Sequence, residues 1–196
     1  MRVKICGITN YLDAKMAIDL GADALGFVFY QKSPRYIDPF DARKIISKLP
    51  PFVEKVGLFV RNTPREIEEV SKFSLITLAQ IHFDVDDSFL RRIDFPTLPV
   101  IRVKEPRDIE RFSNRYRLVD AYTDSYGGSG KRLALDWFKN RDNSKIIIAG
   151  GLNPKNINEL AGFGFYGCDV SSGVEAKERF KDRRKVEKFI KNAKAI

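Results

Sequence analysis

The chain has 196 residues, enough for one well-buried core and close to the usual size of a single domain. Hydrophobic residues at 43% and charged residues at 31% describe a soluble globular chain, and no apolar run nears the roughly 18 residues of a membrane span. The net charge of +9 raises nucleic acid as a partner, yet residues 177–194 alone hold nine basic and three acidic side chains.

That same segment places Val186, Phe189, Ile190 and Ala193 at helical spacing, so its charge is read as the solvated face of a packed helix. Neither nucleic acid nor a membrane is expected as a partner. Two cysteines, Cys6 and Cys168, make no disulfide framework, and no secretory h-region opens the chain, so a cytoplasmic setting is expected.

Short apolar, β-branched runs recur in chain order: "VKIC", "ALGFVF", "KVGLFV", "ITLAQIH", "LPVIRV", "RLVDAY", "KIIIAG" and "YGCDVSS". Each is followed by a polar turn and a segment of helical period, with helix starts expected near Asn10, Asp38, Thr63, Asp86, Glu105, Leu133, Asn153 and Asp182. Three starts pair a capping residue with proline: Asp38-Pro39, Thr63-Pro64 and Asn153-Pro154. Glu66 completes a capping box with Thr63. Eight strand–helix units imply parallel strands and right-handed crossovers, hence an α/β fold closed as a (β/α)8 TIM barrel, with 1–196 one compact domain. An open doubly wound sheet usually has fewer strands at this length.

A barrel places its active groups at the C-terminal strand ends and in the loops that follow. Cys6 ends the first strand, just before Gly7. It is an inert core thiol or a reactive one; alternation puts it on the face of Lys4, whose charge is expected to lower the thiol pKa. Arg35, in "QKSPRYI" after the second strand, is a carboxylate clamp or a solvated arginine. Asp120 interrupts an apolar strand end, as an ion-pair partner or as a general acid whose pKa burial raises.

"SYGGSGKR" misses the P-loop spacing, because Ser125 stands where glycine is required. "AGGLNPKN" and "DVSSGVE" instead put Gly150-Gly151 and Ser171-Ser172-Gly173 where such barrels hold phosphate. Cys168, inside a strand, is read as packing, and Asp169 as a partner for Lys4. His82 is the sole histidine, so no metal cluster or Ser-His-Asp triad is expected.

"KICGIT", "GADALGFVFYQKSPRYI", "VGLFV", "YGGSGK", "AGGLNPKNI" and "DVSSGVE" together resemble the phosphoribosylanthranilate isomerases of tryptophan biosynthesis, in order and over essentially the whole chain. The resemblance implies an Amadori rearrangement of N-(5′-phosphoribosyl)anthranilate to 1-(2-carboxyphenylamino)-1-deoxyribulose 5-phosphate, with no cofactor. It implies Cys6 as general base and Asp120 as general acid, with Asp124 second to it. Arg35 then takes the anthranilate carboxylate. Backbone around Gly150, Gly151, Ser171, Ser172 and Gly173 takes the phosphate, and Gly128 is a further binding position.

The family usually shows glycine after the histidine that follows strand four, where this chain has Phe83. A differently shaped loop is therefore expected, and roles for Gln80 and His82 stay open. The related histidine-pathway barrels place aspartate where Cys6 stands, which argues against that activity. The expected partner is a small phosphorylated molecule, and the assembly a monomer or homodimer.

Overall fold

The computed structural model describes residues 1–122 and 132–196, so Asp124, Gly128 and most of the glycine loop lie outside the described residues. Eight parallel strands close into a barrel in chain order: β1 (Arg2–Ile5), β2 (Ala24–Val28), β3 (Glu54–Phe59), β4 (Leu78–Ile81), β5 (Thr97–Val103), β6 (Arg117–Ala121), β7 (Ile146–Ile148) and β8 (Gly167–Val170). All eight coincide with the expected runs. The seam is closed by β8 pairing with β1, with Lys4 beside Asp169.

Alternation sorts the side chains. Outward residues such as Ile5, Phe27, Phe59, Ile81, Ile101 and Val119 are buried beneath the helices in one large apolar cluster. Inward residues Leu98, Val100, Leu118 and Ala149 form a smaller plug inside the barrel, with Leu78 and Ile147 against it. Above that plug the inward positions turn polar: Lys4, Gln80, Arg102, Asp120 and Asp169. The sequence thus spends its interior hydrophobes on the lower barrel and leaves charge at the upper mouth.

The helix starts follow their caps. Asn10, Asp38, Asp86 and Asp182 each accept a backbone N–H at the head of α1 (Tyr11–Asp19), α2 (Pro39–Ile46), α4 (Asp87–Arg91) and α5 (Arg183–Lys194). Thr63 and Glu66 close both halves of the expected capping box at α3 (Pro64–Ser74). Val186, Phe189, Ile190 and Ala193 are the buried face of α5, as their spacing requires.

Three expected helices are corrected. The units after β5, β6 and β7 carry only single 3₁₀ turns, at Pro106–Glu110, Leu135–Phe138 and Ile157–Leu160. Their apolar anchors are too few for a longer stripe: Ile109 alone is buried in the first, Phe138 alone in the second. Ile157 and Leu160, three apart, are the pair in the third. Residues three apart eclipse on a 3₁₀ turn, so one turn buries them. Asn153 does not cap a helix; its side chain accepts the Lys155 N–H at 2.8 Å while the Asn156 side chain turns back to the Asn153 N–H. A further element was not anticipated, an antiparallel hairpin of β9 (Glu175–Lys177) and β10 (Phe180–Lys181) between β8 and α5.

At the opposite mouth, the N-terminal one, Phe52 stands fully exposed at the tip of the loop entering β3, beside a cavity lined by Pro51, Val53, Thr97, Tyr116 and Tyr166.

Candidate active site

Among the described residues, one cavity at the C-terminal mouth is lined by Cys6, Arg35, Gln80, His82, Arg102, Asp120, Gly150, Gly151, Asp169, Ser171 and Ser172, with Val28, Leu58 and Val60 as its apolar wall. Residues remote in sequence meet here because each ends an adjacent strand. The sulfur and the carboxyl required of a proton-transfer pair face one space.

Cys6 is buried, and room for it is left by Gly26: a Cβ there would sit 2.7 Å from the Cys6 Sγ and 3.0 Å from Lys4 Nζ. Lys4 Nζ is ion-paired to Asp169 Oδ1 at 2.9 Å, as expected, with the Lys4 side chain buried and that of Asp169 11% exposed. The expected direction of the thiol pKa is corrected. Burial pushes Cys6 up, and the opposing pull of Lys4 and Lys181 does not overcome it, partly because Asp169 adds negative charge nearby. Lys4 itself loses by burial and more than regains from Asp169 and the thiol, so it stays charged.

Asp120, half-buried at the strand end, is shifted as a desolvated acid should be. Burial, seconded by Asp169, pushes its carboxyl up to about 6, against the lowering influence of the Ala121 N–H, Arg102 and Lys4. The Ala121 N–H donates to Oδ1 at 2.8 Å. Arg102 is its register partner on β5, so the two side chains enter the barrel side by side.

Gln80 and His82, left open by the sequence, both reach the cavity. Phe83 needs no left-handed backbone; it packs edge-on against Phe89 at 5.4 Å and leaves the preceding strand end in place. Burial, then Arg102 and Lys4, hold the His82 pKa down to about 3, so the imidazole is neutral. With the Gln80 amide nitrogen 3.2 Å from Nδ1, that nitrogen is the acceptor, and the proton on Nε2 faces Asp120 Oδ2 at 3.9 Å.

Arg35 lies at the cavity edge with its guanidinium held by Glu175. Neither Glu175 nor its second partner Lys181 was singled out by the sequence. Gly150 and Gly151 have φ of 94° and 60°, conformations that turn their backbone toward the cavity and that glycine adopts freely. Ser172–Val174 forms the short extra turn after β8. Gly173 stands behind it rather than on the cavity wall: a Cβ there would meet the Leu152 carbonyl oxygen at 1.8 Å, so the loops after β7 and β8 touch through it. Cys168 is buried on the outer face, its thiol pushed up to about 12 chiefly by burial. Among the described residues, no three His, Cys, Asp or Glu side chains gather as a metal set.

Comparisons with known proteins give the family and the fold. Residues 3–192 match the family described as N-(5'phosphoribosyl)anthranilate (PRA) isomerase. An N-(5'-phosphoribosyl)anthranilate isomerase from Sulfurovum sp. (strain NBC37-1) is 60% identical over 196 residues, covering 100% of both chains. The crystal structure of the phosphoribosyl anthranilate isomerase from Thermotoga maritima superposes with a TM-score of 0.92 at 40% identity, again over 100% of each chain. Another crystal structure of such an isomerase, solved with reduced 1-(o-carboxyphenylamino)-1-deoxyribulose 5-phosphate, gives 0.86 at 38% identity, with 100% of each chain covered.

Proposed function

The chain belongs to the N-(5′-phosphoribosyl)anthranilate isomerase family, and on that premise we propose that Cys6 and Asp120 divide the proton transfers of its reaction. The activity is the isomerisation of the aminoaldose N-(5′-phosphoribosyl)anthranilate to its ketose in tryptophan biosynthesis. Asp120, protonated, gives its proton to the furanose ring oxygen, and the C1′–O bond breaks as the anthranilate nitrogen forms a Schiff base. The Cys6 thiolate then takes the proton from C2′, and the electron pair moves into the C1′–C2′ bond to give an enolamine. Tautomerisation of the enolamine delivers the ketone.

Other cavity residues orient. Arg35 takes the anthranilate carboxylate, and the loop backbone at Gly150, Gly151, Ser171 and Ser172, braced by Gly173, takes the phosphate; fixing both ends contributes alignment rather than chemistry. Lys4 keeps thiolate within energetic reach by placing a cation beside the sulfur. A cytoplasmic setting, where such a thiol stays reduced, belongs to the same proposal. So does a homodimer joined at the N-terminal mouth, because Phe52 and the cavity beside it lie on one face, the self-complementary arrangement that a two-fold interface requires.

The observation that carries the reading is one cavity holding both a carboxyl that titrates at about 6 and a thiol beside an ammonium. Following the fluorescence lost as phosphoribosylanthranilate is consumed, Cys6→Ala and Asp120→Asn should each lower kcat by about 10²- to 10⁴-fold while remaining folded by circular dichroism. Near-normal kcat in either variant removes that residue from the mechanism.

A further inference from the structure

Arg35 is tied into a second layer of charge that the catalytic scheme does not use. Its Nε and Nη2 donate to Oε1 and Oε2 of Glu175 at 2.8 and 2.7 Å, two parallel bonds that fix the plane of the guanidinium. The two side chains are 12% and 6% exposed. Glu175 is shared: its Oε1 also accepts from Lys181 Nζ at 2.9 Å, and the Lys181 side chain is wholly buried. The two residues are register partners across the β9–β10 hairpin.

Lys181 Nζ also donates to the carbonyl of Ser171 at 3.3 Å, and the Ser171 hydroxyl donates to the carbonyl of Cys6 at 3.1 Å. Gly7 is pinched between them; a Cβ there would lie 2.6 Å from the Arg35 Cδ and 2.9 Å from the Ser171 Oγ. Two cations on one carboxylate leave this cluster a net positive charge, so it still attracts an anion. Glu175 occupies the Nε–Nη2 edge of Arg35, and the Nη1–Nη2 edge remains for a planar carboxylate. An arginine held this way loses little side-chain entropy when it binds, whereas an unanchored one must be ordered by the ligand.

We propose that Glu175, seated on Lys181, is a positioning residue for substrate recognition: it presents Arg35 at fixed geometry to the anthranilate carboxylate and locks it to the loop that holds the phosphate. One rigid unit then reads both anionic ends of the substrate. The inference rests on the assignment of Arg35 to the anthranilate carboxylate, and the experiment separates the two.

Anthranilate and inorganic phosphate are titrated separately into the purified protein by NMR. Glu175→Gln should weaken anthranilate about tenfold and leave phosphate within about twofold. For the full substrate, KM should rise by about the same factor and kcat hold within about threefold. Adding Glu175→Gln to Arg35→Ala should cost anthranilate nothing further. Glu175→Asp keeps the charge for Lys181 but is one methylene too short to bridge both guanidinium nitrogens; it should give the same split if Glu175→Gln fails to fold. Equal weakening of both ligands marks a merely structural hairpin and overturns the proposal, as does unchanged anthranilate affinity in Glu175→Gln when Arg35→Ala loses it. If Arg35→Ala keeps its anthranilate affinity, the assignment of Arg35 falls first and takes the inference with it.

Discussion

Asp120 gives up its proton near 6, while burial holds Cys6 above its ordinary 9.0. Turnover as proposed requires the opposite distribution, Asp120 protonated and Cys6 ionised. With Asp120 near 6 and burial holding the thiol up, the reactive form is a small minority of the enzyme at every pH. Between the two values that fraction is flat, because each unit of pH loses acid as fast as it gains base. The profile of kcat/KM should therefore be a broad bell, with its acidic limb bending near 6 at Asp120 and its alkaline limb bending above 9.0 at Cys6. The limbs are identified by alkylating Cys6 with iodoacetamide from about pH 5 to about pH 10 in a Cys168→Ala background. The alkylation rate should climb about tenfold per pH unit through the acidic limb without a break and level off only along the alkaline one. An inflection of thiol reactivity near pH 6 would mean a thiolate at neutral pH and would refute the reasoning.

Asp120 also links catalysis to stability. The fold binds its proton more tightly than the unfolded chain does, at about 6 against 3.8, so the stabilisation is full below the unfolded value and is lost as pH rises through 6. Asp120→Asn should thus gain up to about 3 kcal/mol on the wild type in urea unfolding between about pH 4 and pH 8; an unchanged difference contradicts the burial argument. Gly173→Ala must push the Leu152 carbonyl away from a contact of 1.8 Å, so it should lose about 1–3 kcal/mol and weaken phosphate at least about tenfold. Wild-type melting and phosphate affinity in that variant would show that the two loops are not braced there. Phe52→Asp should sediment as a monomer and keep its kcat, since the residue lies at the far mouth from Cys6; an unchanged sedimentation coefficient places the interface elsewhere.

The strands and five capped helices were legible because their signals are local: a β-branched run, an Asp or Thr before proline, a Glu three residues on. The single turns at Pro106–Glu110, Leu135–Phe138 and Ile157–Leu160 were not, since one or two apolar anchors in a short polar segment fit either a 3₁₀ turn or the start of an α-helix. Strand ends alone singled out Cys6 and Asp120 but left their roles open, and the resemblance to the family implied the roles. The sign of the Cys6 shift could not be read, because sequence names the neighbouring lysine but not the depth of burial that outweighs it. Glu175 and Lys181 were hidden for a related reason. Lys181 sits in the 177–194 stretch that reads as solvated charge and Glu175 closes the "DVSSGVE" run read for phosphate, and only the hairpin brings the two together beneath Ser171.

The Lys4–Asp169 pair stands where the last strand meets the first, so the charge that seals the cylinder also sets the field on the sulfur. Durability and reactivity are therefore bound to the same two side chains. An apolar pair of similar volume there could leave the ring more robust, since buried ion pairs often add little net stability, and yet it would quieten the thiol. Selection for a hardier barrel and selection for a faster one meet at this joint and pull in opposite directions.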